Sequence, residues 1–362
     1  MKIIRWIFLV INFFFIFCAL MAFWGSALSP EKFVVPAYFA LIFPIVLFFN
    51  IGFVFLWMIF RKWYFLFSLV LLLFSSPKIK TVFPISIKSE AKEISDDSFS
   101  LFTYNTWALG RMEKHTEKSP NKVIQHIVNS DADIVCLQEF SVSPNFLTEA
   151  AVIKALKKYP YRHICYKRKR SYNDFGVATF SKYPIIKKET VDFPSNINSA
   201  IFSDIVIGKD TIRLINCHLE SNRLTEQDKA MPANLRKKFD MENLSNVTMH
   251  LSRKLGAAYK IRAKQADMVA EYIENSPYKL IVCGDFNDVP LSYSYTKIRG
   301  NLQDAFETLE CGIGATFHEK FYKFRIDYVL YDQNFIPLQF KREKVDYSDH
   351  YPLTCRLKIT TP

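Results

Sequence analysis

An α/β fold of two twisted sheets packed face to face, with helices on the outside, is what the sequence predicts for residues 99–362, behind an apolar membrane region. Three observations predict it. Strand candidates outnumber helix candidates, and the two kinds interleave without strict alternation. Several strand candidates are short continuous apolar runs, such as Ile134–Leu137 and Leu280–Cys283, as expected of strands covered on both faces. Charge is also unevenly placed: residues 1–76 hold one acid, Glu31, and five bases, Lys2, Arg5, Lys32, Arg61 and Lys62.

The whole chain has 362 residues with 47 bases and 35 acids, so residues 77–362 keep a formal charge of +8. That mild surplus suits an anionic substrate or surface, and ordinary solvated surfaces carry as much. Cys136, Cys217 and Cys283 each sit inside an apolar strand candidate, where a free thiol behaves as a small hydrophobe. No Cys-x-x-Cys pair or metal-type Cys/His spacing occurs, so the seven cysteines say little about redox compartment.

The apolar region reads as about three membrane spans, at 3–24, 33–60 and 63–76. A cleaved signal peptide competes for the first, with Lys2 and Arg5 as its basic start, but apolar sequence continues well beyond it. Pro36, Pro44, Asn50 and Gly52 are breaks that membrane helices accommodate. Residues 77–98 turn polar and read as a linker, with an edge strand expected around Val82–Ile87.

Strands are expected at Phe99–Asn105, Asp133–Phe140, Tyr161–Tyr166, Gly176–Ser181 and Lys187–Phe193. Ala200–Ile207 and Thr211–Leu219 form a hairpin about Gly208-Lys209-Asp210. Later strands follow at Leu280–Cys283, Arg325–Tyr331, Leu338–Val345 and Leu353–Ile359. Ser119-Pro120 reads as a helix start for the face Val123, Ile124, Ile127, Val128. Further helices are expected at Phe146–Lys158 and Ala257–Asn275, and Glu220–Gly256 reads as polar and irregular.

The chemistry gathers at strand ends. Asp285 and Asn287 follow the run Leu280–Cys283 and Gly284, and strand spacing would aim both to one face. A polar turn closing the strand explains them equally well. Glu139 ends one apolar strand, and Asp327 interrupts another, where it needs a partner or a cation. Asn105, His218, Asp349 and His350 complete a set of eight polar groups at strand ends, which could meet on one sheet rim. The set lacks a nucleophile elbow and a phosphate-cradling Gly-rich loop. It offers hard oxygen ligands for Mg²⁺ or Mn²⁺ and two imidazoles for proton transfer or oxyanion stabilisation.

The ordered set Asn105, Gln138-Glu139, Asn216-x-His218, Gly284-Asp285-Phe286-Asn287, Arg325-Ile326-Asp327-Tyr328 and Ser348-Asp349-His350 resembles the endonuclease/exonuclease/phosphatase superfamily. Phe180-Ser181-Lys182-Tyr183-Pro184-Ile185 adds a seventh motif. The resemblance covers residues 99–362 and implies a four-layer α/β sandwich. It implies Glu139 as principal Mg²⁺ ligand, Asn105 on metal or phosphate, and Asp349 completing the metal side. Asp285 would orient the attacking water, Asn287 hold a phosphate oxygen, and Asp327 fix His350 as base or phosphate stabiliser. His218 would protonate the leaving oxygen. Histidine at that position matches the deoxyribonuclease-like and sphingomyelinase-like branches and departs from the abasic-site repair branch, which has tyrosine.

The implied activity is hydrolysis of a phosphodiester in nucleic acid or a phospholipid head group by a membrane-anchored, Mg²⁺- or Mn²⁺-dependent enzyme. A phospholipid or sphingomyelin phosphodiesterase is the alternative to a nuclease, and a binding module that keeps the fold is a remote one. Expected substrate contacts are Asn216, Lys167 and Arg168; a nuclease would use the basic run Lys167–Arg170 and the cluster Arg236, Lys237 and Lys238. A solvated loop accounts for either basic cluster without function. Positive residues favour the cytoplasmic side, so the N-terminus and Arg61-Lys62 should face in. A third span then places the catalytic domain outside the cytoplasmic or plasma membrane; if the short segment Trp63–Phe74 only lies on the surface, two spans leave it cytoplasmic.

Overall fold

The computed structural model describes residues 2–86, 97–116, 118–169, 173–228, 230–231, 241–319 and 322–360. The chain forms two compact units. One comprises Met1–Val82, Ser221–Gln265 and Val289–Lys297; the other comprises Phe83–Glu220, Ala266–Asp288 and Ile298–Pro362.

The first unit is apolar and helical. Its first helix, Lys2–Ala27, has 26 residues, enough to cross a bilayer. Val35–Leu41 and Phe43–Ile59 are bent by 70°, and Phe65–Phe74 and Ser76–Val82 by 69°; each bent pair has the length and apolarity of one broken span or of a re-entrant loop. The third apolar segment thus continues as helix through Val82, and no strand forms at Val82–Ser86. The predicted linker residues 87–96 lie outside the described residues.

Polar side chains tie these helices together. Asn12 Nδ2 donates to Ser68 Oγ (2.7 Å), Ser68 Oγ to Asn50 Oδ1 (3.2 Å), and Trp57 Nε1 to Asn12 Oδ1 (2.9 Å). Asn50 Nδ2 is satisfied by the Phe15 and Val46 carbonyls. All three segments contribute, and no member is left without a partner, as an apolar setting demands. Outward stand Val10, Phe14, Phe17, Phe48, Phe55 and Leu73.

Helix Met241–Glu274 begins sixteen residues before the expected Ala257, inside the stretch that reads as irregular. Asn, Ser and Thr dilute its pattern, and Gly256 reads as a stop. Gly256 is instead a close approach, since a Cβ there would meet the Tyr38 hydroxyl, which donates to the Ser252 carbonyl (2.7 Å). Asp228 anchors the preceding segment by accepting from Thr225 N (2.7 Å) and pairing with Lys254 and His250.

Fourteen strands are found among the described residues of the second unit. The first seven are β1 (Ser98–Asn105), β2 (Ile134–Val142), β3 (Tyr161–Lys169), β4 (Asp174–Ser181), β5 (Ile185–Val191), β6 (Ser199–Ile207) and β7 (Asp210–His218). The rest are β8 (Lys279–Asp285), β9 (Gln303–Asp304), β10 (Phe317–Glu319), β11 (Tyr322–Phe324), β12 (Asp327–Tyr331), β13 (Phe335–Arg342) and β14 (Leu353–Ile359). One six-stranded sheet has the order β13-β14-β1-β2-β4-β3 and the other β5-β6-β7-β8-β12-β9; β10 and β11 form a separate ribbon. Each sheet is mixed, with one parallel pair, β1–β2 or β7–β8, among antiparallel ones.

The inner faces share one core, in which Leu101 and Cys136 of the first sheet meet Leu214 and Cys283 of the second. Strand alternation sends Phe102, Tyr104, Val135 and Leu137 to the outer face, under Val123, Ile124 and Ile127 of helix Lys122–Ser130 and Val152 of helix Glu149–Ala155. Ala266, Val269 and Ala270 are buried, and Tyr272 rests on Phe202 with ring centroids 5.5 Å apart. Two mixed sheets flanked by helices is the predicted architecture.

Some boundaries move for local reasons. Asn121, not Ser119, caps its helix, because its side chain also holds the Leu109 and Glu113 carbonyls. Helix Glu149–Ala155 starts after Thr148, since residues 143–147 close a turn in which Ser143 bridges Leu147. The basic run does not begin as a loop: Lys167–Lys169 end β3, and Arg170 lies outside the described residues.

Gly284 shows how tightly β7 and β8 fit. It has φ +122°, and a Cβ would strike the backbone carbonyl of Cys217. Gly284→Ala combines overpacking with backbone strain and should cost about 3 kcal/mol or more. Thermal unfolding of the full chain in detergent, with Gly208→Ala as control, checks this. The control position also has a positive φ, +60°, but nothing within 4 Å of its Cβ, so it carries backbone strain without overpacking.

Candidate active site

Strand register assembles the centre. Asp285, the last residue of β8, lies opposite His218 on one side and Asp327 on the other, so three adjacent strands place them in one row. His350 comes from the loop before β14 and closes the row: its Nδ1 lies 2.8 Å from Asp327 Oδ2 and its Nε2 3.9 Å from Asp285 Oδ2. Ser348 holds that loop, donating to the Asn105 carbonyl (2.8 Å) and accepting from His350 N (3.2 Å).

Asn105 links the two sheets. Its Nδ2 donates to Asp285 Oδ2 (2.8 Å) and reaches Glu139 Oε1 (3.4 Å). Glu139 sits where the β2–β4 register slips, with φ +50°, so a bulge turns its side chain toward this row. Asn287 joins by a different route from the expected strand alternation. The strand ends at Asp285, Asn287 has φ +53°, and its N and Nδ2 donate to the two Asp285 oxygens (2.7 and 3.1 Å).

Burial and mutual charge shift these groups. Burial raises Asp285, and Asp327 adds to the rise while His350 opposes it. Burial, then the Asp349 charge, pushes Glu139 up to about 7. Burial, then the positive charge of His350, holds His218 down to about 3. Burial alone would lower His350, but Asp327, Asp285 and Asp349 together raise it well above the ordinary histidine range. His350 is therefore the charged imidazole and His218 the neutral one. The proton-donor role expected for His218 would require the ring to take up a proton against burial and against the charge of His350. Its Nδ1 is buried without a partner among the described residues.

Two donor sets could hold a cation. Asp285, Asp327 and His350 bring ligand atoms within 4.8 Å of one another, but Asp327 and His350 are already bonded to each other. Glu139, beside Asn105, is a carboxylate under the repulsion of Asp349, which the charge of His350 opposes. Hard oxygens under mutual repulsion fit a divalent cation, so the expected set Glu139, Asn105 and Asp349 is chemically suitable.

The expected substrate contacts divide. Asn216 is fully buried between the sheets, accepting from Gln138 Nε2 (2.7 Å) and donating to the Ala178 carbonyl (3.0 Å); it is a structural tie, which corrects its expected contact with substrate. Lys167 is engaged by the Phe193 carbonyl (2.8 Å) and Asp192. Arg168 lies over the Phe175 ring, 5.1 Å from its centroid, and that ring is 6.5 Å from the His218 ring. Arg236, Lys237 and Lys238 lie outside the described residues.

Three contributors escape the sequence reading. Asn198 Nδ2 lies 3.4 Å from His218 Nε2. Phe175 packs beside His218, and Thr316 Oγ1 accepts from the backbone N–H of Ile326 and Asp327, fixing the start of β12. The hairpin held the signal for the first: counting back from Gly208-Lys209 places Ser199 opposite His218, next to Asn198.

A family model described as Endonuclease/Exonuclease/phosphatase family matches residues 102–350, and one for a domain of unknown function matches residues 5–82. No curated protein sequence matches the chain. Among solved structures, D. rerio TDP2 humanized by 14 mutations is similar at TM-score 0.50 and 18% identity, covering 72% of this chain and 99% of that one. An endonuclease/exonuclease/phosphatase from Beutenbergia cavernae has TM-score 0.49 and 16% identity, covering 72% of each chain. Beta toxin from Staphylococcus aureus has TM-score 0.45 and 18% identity, covering 71% of this chain and 99% of that one.

The opposed histidine shifts give a direct test. In metal-free protein labelled at histidine, ¹⁵N spectra should show the His218 ring neutral and the His350 ring doubly protonated from about pH 5 to 8. His218→Gln and His350→Gln assign the signals. Titration of either ring near 6.5 would contradict the arrangement.

Proposed function

The chain belongs to the endonuclease/exonuclease/phosphatase family, and from that premise we propose that it is a membrane-anchored, Mg²⁺- or Mn²⁺-dependent phosphodiester hydrolase. The observation that carries this reading is the row His218, Asp285, Asp327, closed by His350 and joined through Asn105 to Glu139.

A divalent cation held by Glu139, Asn105 and Asp349 would supply charge neutralisation at the phosphate. Asp285, with its raised affinity for a proton, takes the proton of the attacking water as the water oxygen bonds to phosphorus. Charged His350, held by Asp327, faces the non-bridging oxygens on which negative charge grows. Asn287, whose amide is already near Asp285, orients a phosphate oxygen. Neutral His218 donates a hydrogen bond to the leaving oxygen as its bond to phosphorus breaks, and that oxygen leaves protonated by solvent.

Residues 1–82, to the end of helix Ser76–Val82, would anchor the enzyme, 83–98 would act as linker and 99–362 as the catalytic domain. The outward apolar side chains of the helices in 1–76 and the polar ties among them support three spans. With Lys2, Arg5 and Arg61-Lys62 inside, the catalytic domain stands outside the cytoplasmic or plasma membrane. Nucleic acid is the proposed substrate. Phospholipid is the second reading, favoured by the anchor, which would hold the site near lipid.

Full-length protein in detergent should hydrolyse a phosphodiester from a panel of DNA, RNA, sphingomyelin, phosphatidylcholine and phosphoinositides, lose activity with EDTA, and regain it with Mg²⁺ or Mn²⁺. Glu139→Gln should lower metal affinity at least about a hundredfold while keeping the fold. Metal must displace the proton that Glu139 carries below about 7, so wild-type affinity rises with pH up to about 7 and then levels off. Calorimetric titration across pH reads this. A pH-independent affinity unchanged in Glu139→Gln removes Glu139 from the metal site.

Reporter fusions after Ser86, past the helix that ends at Val82, test the anchor. Alkaline phosphatase should be active there and a fluorescent protein dark; the reverse pattern places the catalytic domain in the cytoplasm.

A further inference from the structure

Beside the Phe175 ring, near His218, stands a cation with no anionic partner among the described residues. Arg168 pairs in register with Phe175 across β3 and β4, and Phe175 pairs with Ser141 across β4 and β2, two residues beyond Glu139. Arg168 thus stands two strand spacings from Glu139's strand, about 10 Å. Its Nε is buried with no hydrogen-bond partner, and no carboxylate pairs with it among the described residues. Lys167, one residue earlier, differs in being engaged by the Phe193 carbonyl and Asp192. Phe175 has the guanidinium 5.1 Å from its ring centroid and the His218 ring 6.5 Å from it. Two further buried polar atoms, Asn173 Oδ1 and His218 Nδ1, also lack partners among the described residues.

We propose that Arg168 forms a subsite for a second phosphate of the substrate, on the leaving-group side of the phosphodiester that is cleaved. This rests on the hydrolase reading above. The planar guanidinium suits two parallel hydrogen bonds to one phosphate, and half-burial over an aromatic ring fixes its direction in advance. His218, facing the leaving oxygen in the proposed mechanism, puts Phe175 and Arg168 on that same side. A nucleotide strand and a phosphorylated inositol head group both carry a second phosphate there. A phosphocholine ester carries none, and its cationic head would face Arg168. The subsite therefore selects against sphingomyelin and phosphatidylcholine.

The test compares wild type, Arg168→Ala and Arg168→Lys as full-length protein in detergent with Mg²⁺. Substrates are the dinucleotide d(TpT), its 3′- and 5′-phosphorylated forms, and glycerophosphoinositol with and without a ring phosphate. In wild type the added phosphate should raise kcat/KM about tenfold in one source or the other, which identifies it. Arg168→Ala should abolish that gain while leaving d(TpT) within about twofold, and Arg168→Lys should keep part of it. No gain in wild type, or equal losses on both members of each pair, overturns the subsite. If nothing is hydrolysed, the hydrolase reading fails separately, and calorimetric binding of thymidine 3′,5′-bisphosphate against the two monophosphates still decides. Tighter bisphosphate binding that Arg168→Ala removes supports the subsite, and equal binding overturns it.

Discussion

Asp285 is a carboxylate 1% exposed at the meeting point of two sheets, and the arrangement of the candidate site follows from what a buried charge requires. It needs donors, and it receives them from Asn105 of the first sheet and from Asn287 of its own strand end. It needs opposite charge nearby, and His350 supplies it. His350 in turn needs Asp327 to stay charged against burial. Removing any one leaves another polar group buried without its match, so the cluster holds as a unit. The same dependence makes the site a junction of the sandwich, because Asn105 and Asp285 belong to different sheets.

Such a junction cannot be built from regular strands alone. Glu139 and Asn287 both take positive φ, and residues 107–111, separated from Asn105 only by Thr106, run through left-handed conformations with φ from 49° to 73°. These are costly for residues other than glycine and persist only where surrounding contacts over-determine them. Here the contacts can be named. Thr106 bonds the Gln138 and Glu139 carbonyls, and Asn121 holds the Leu109 carbonyl. Backbone strain is thus concentrated around the side chains that carry the proposed chemistry.

The apolar unit meets the same requirement in another setting. Asn12, Asn50, Ser68 and Trp57 would be liabilities singly, yet they satisfy one another. A polar clasp of this kind favours one packing of the helices over the many that uniform apolar faces would permit.

Much of this molecule is written locally in its sequence. Period and composition mark the apolar region, the strands and the hairpin about Gly208-Lys209. The eight polar groups at strand ends are visible as candidates because polar residues interrupting apolar strands stand out wherever they occur. What the sequence could not specify is which groups face each other, since that depends on register between strands distant in the chain. Asn216 reads like His218 two residues on, yet alternation and the opposing sheet bury it against Gln138 and Ala178. Asp285 and Asn287 converge through a positive-φ turn rather than through strand pleat. Protonation is the last such property: two histidines with the same intrinsic affinity become one neutral and one charged, because the fold sets His350 among carboxylates and leaves His218 beside that charge.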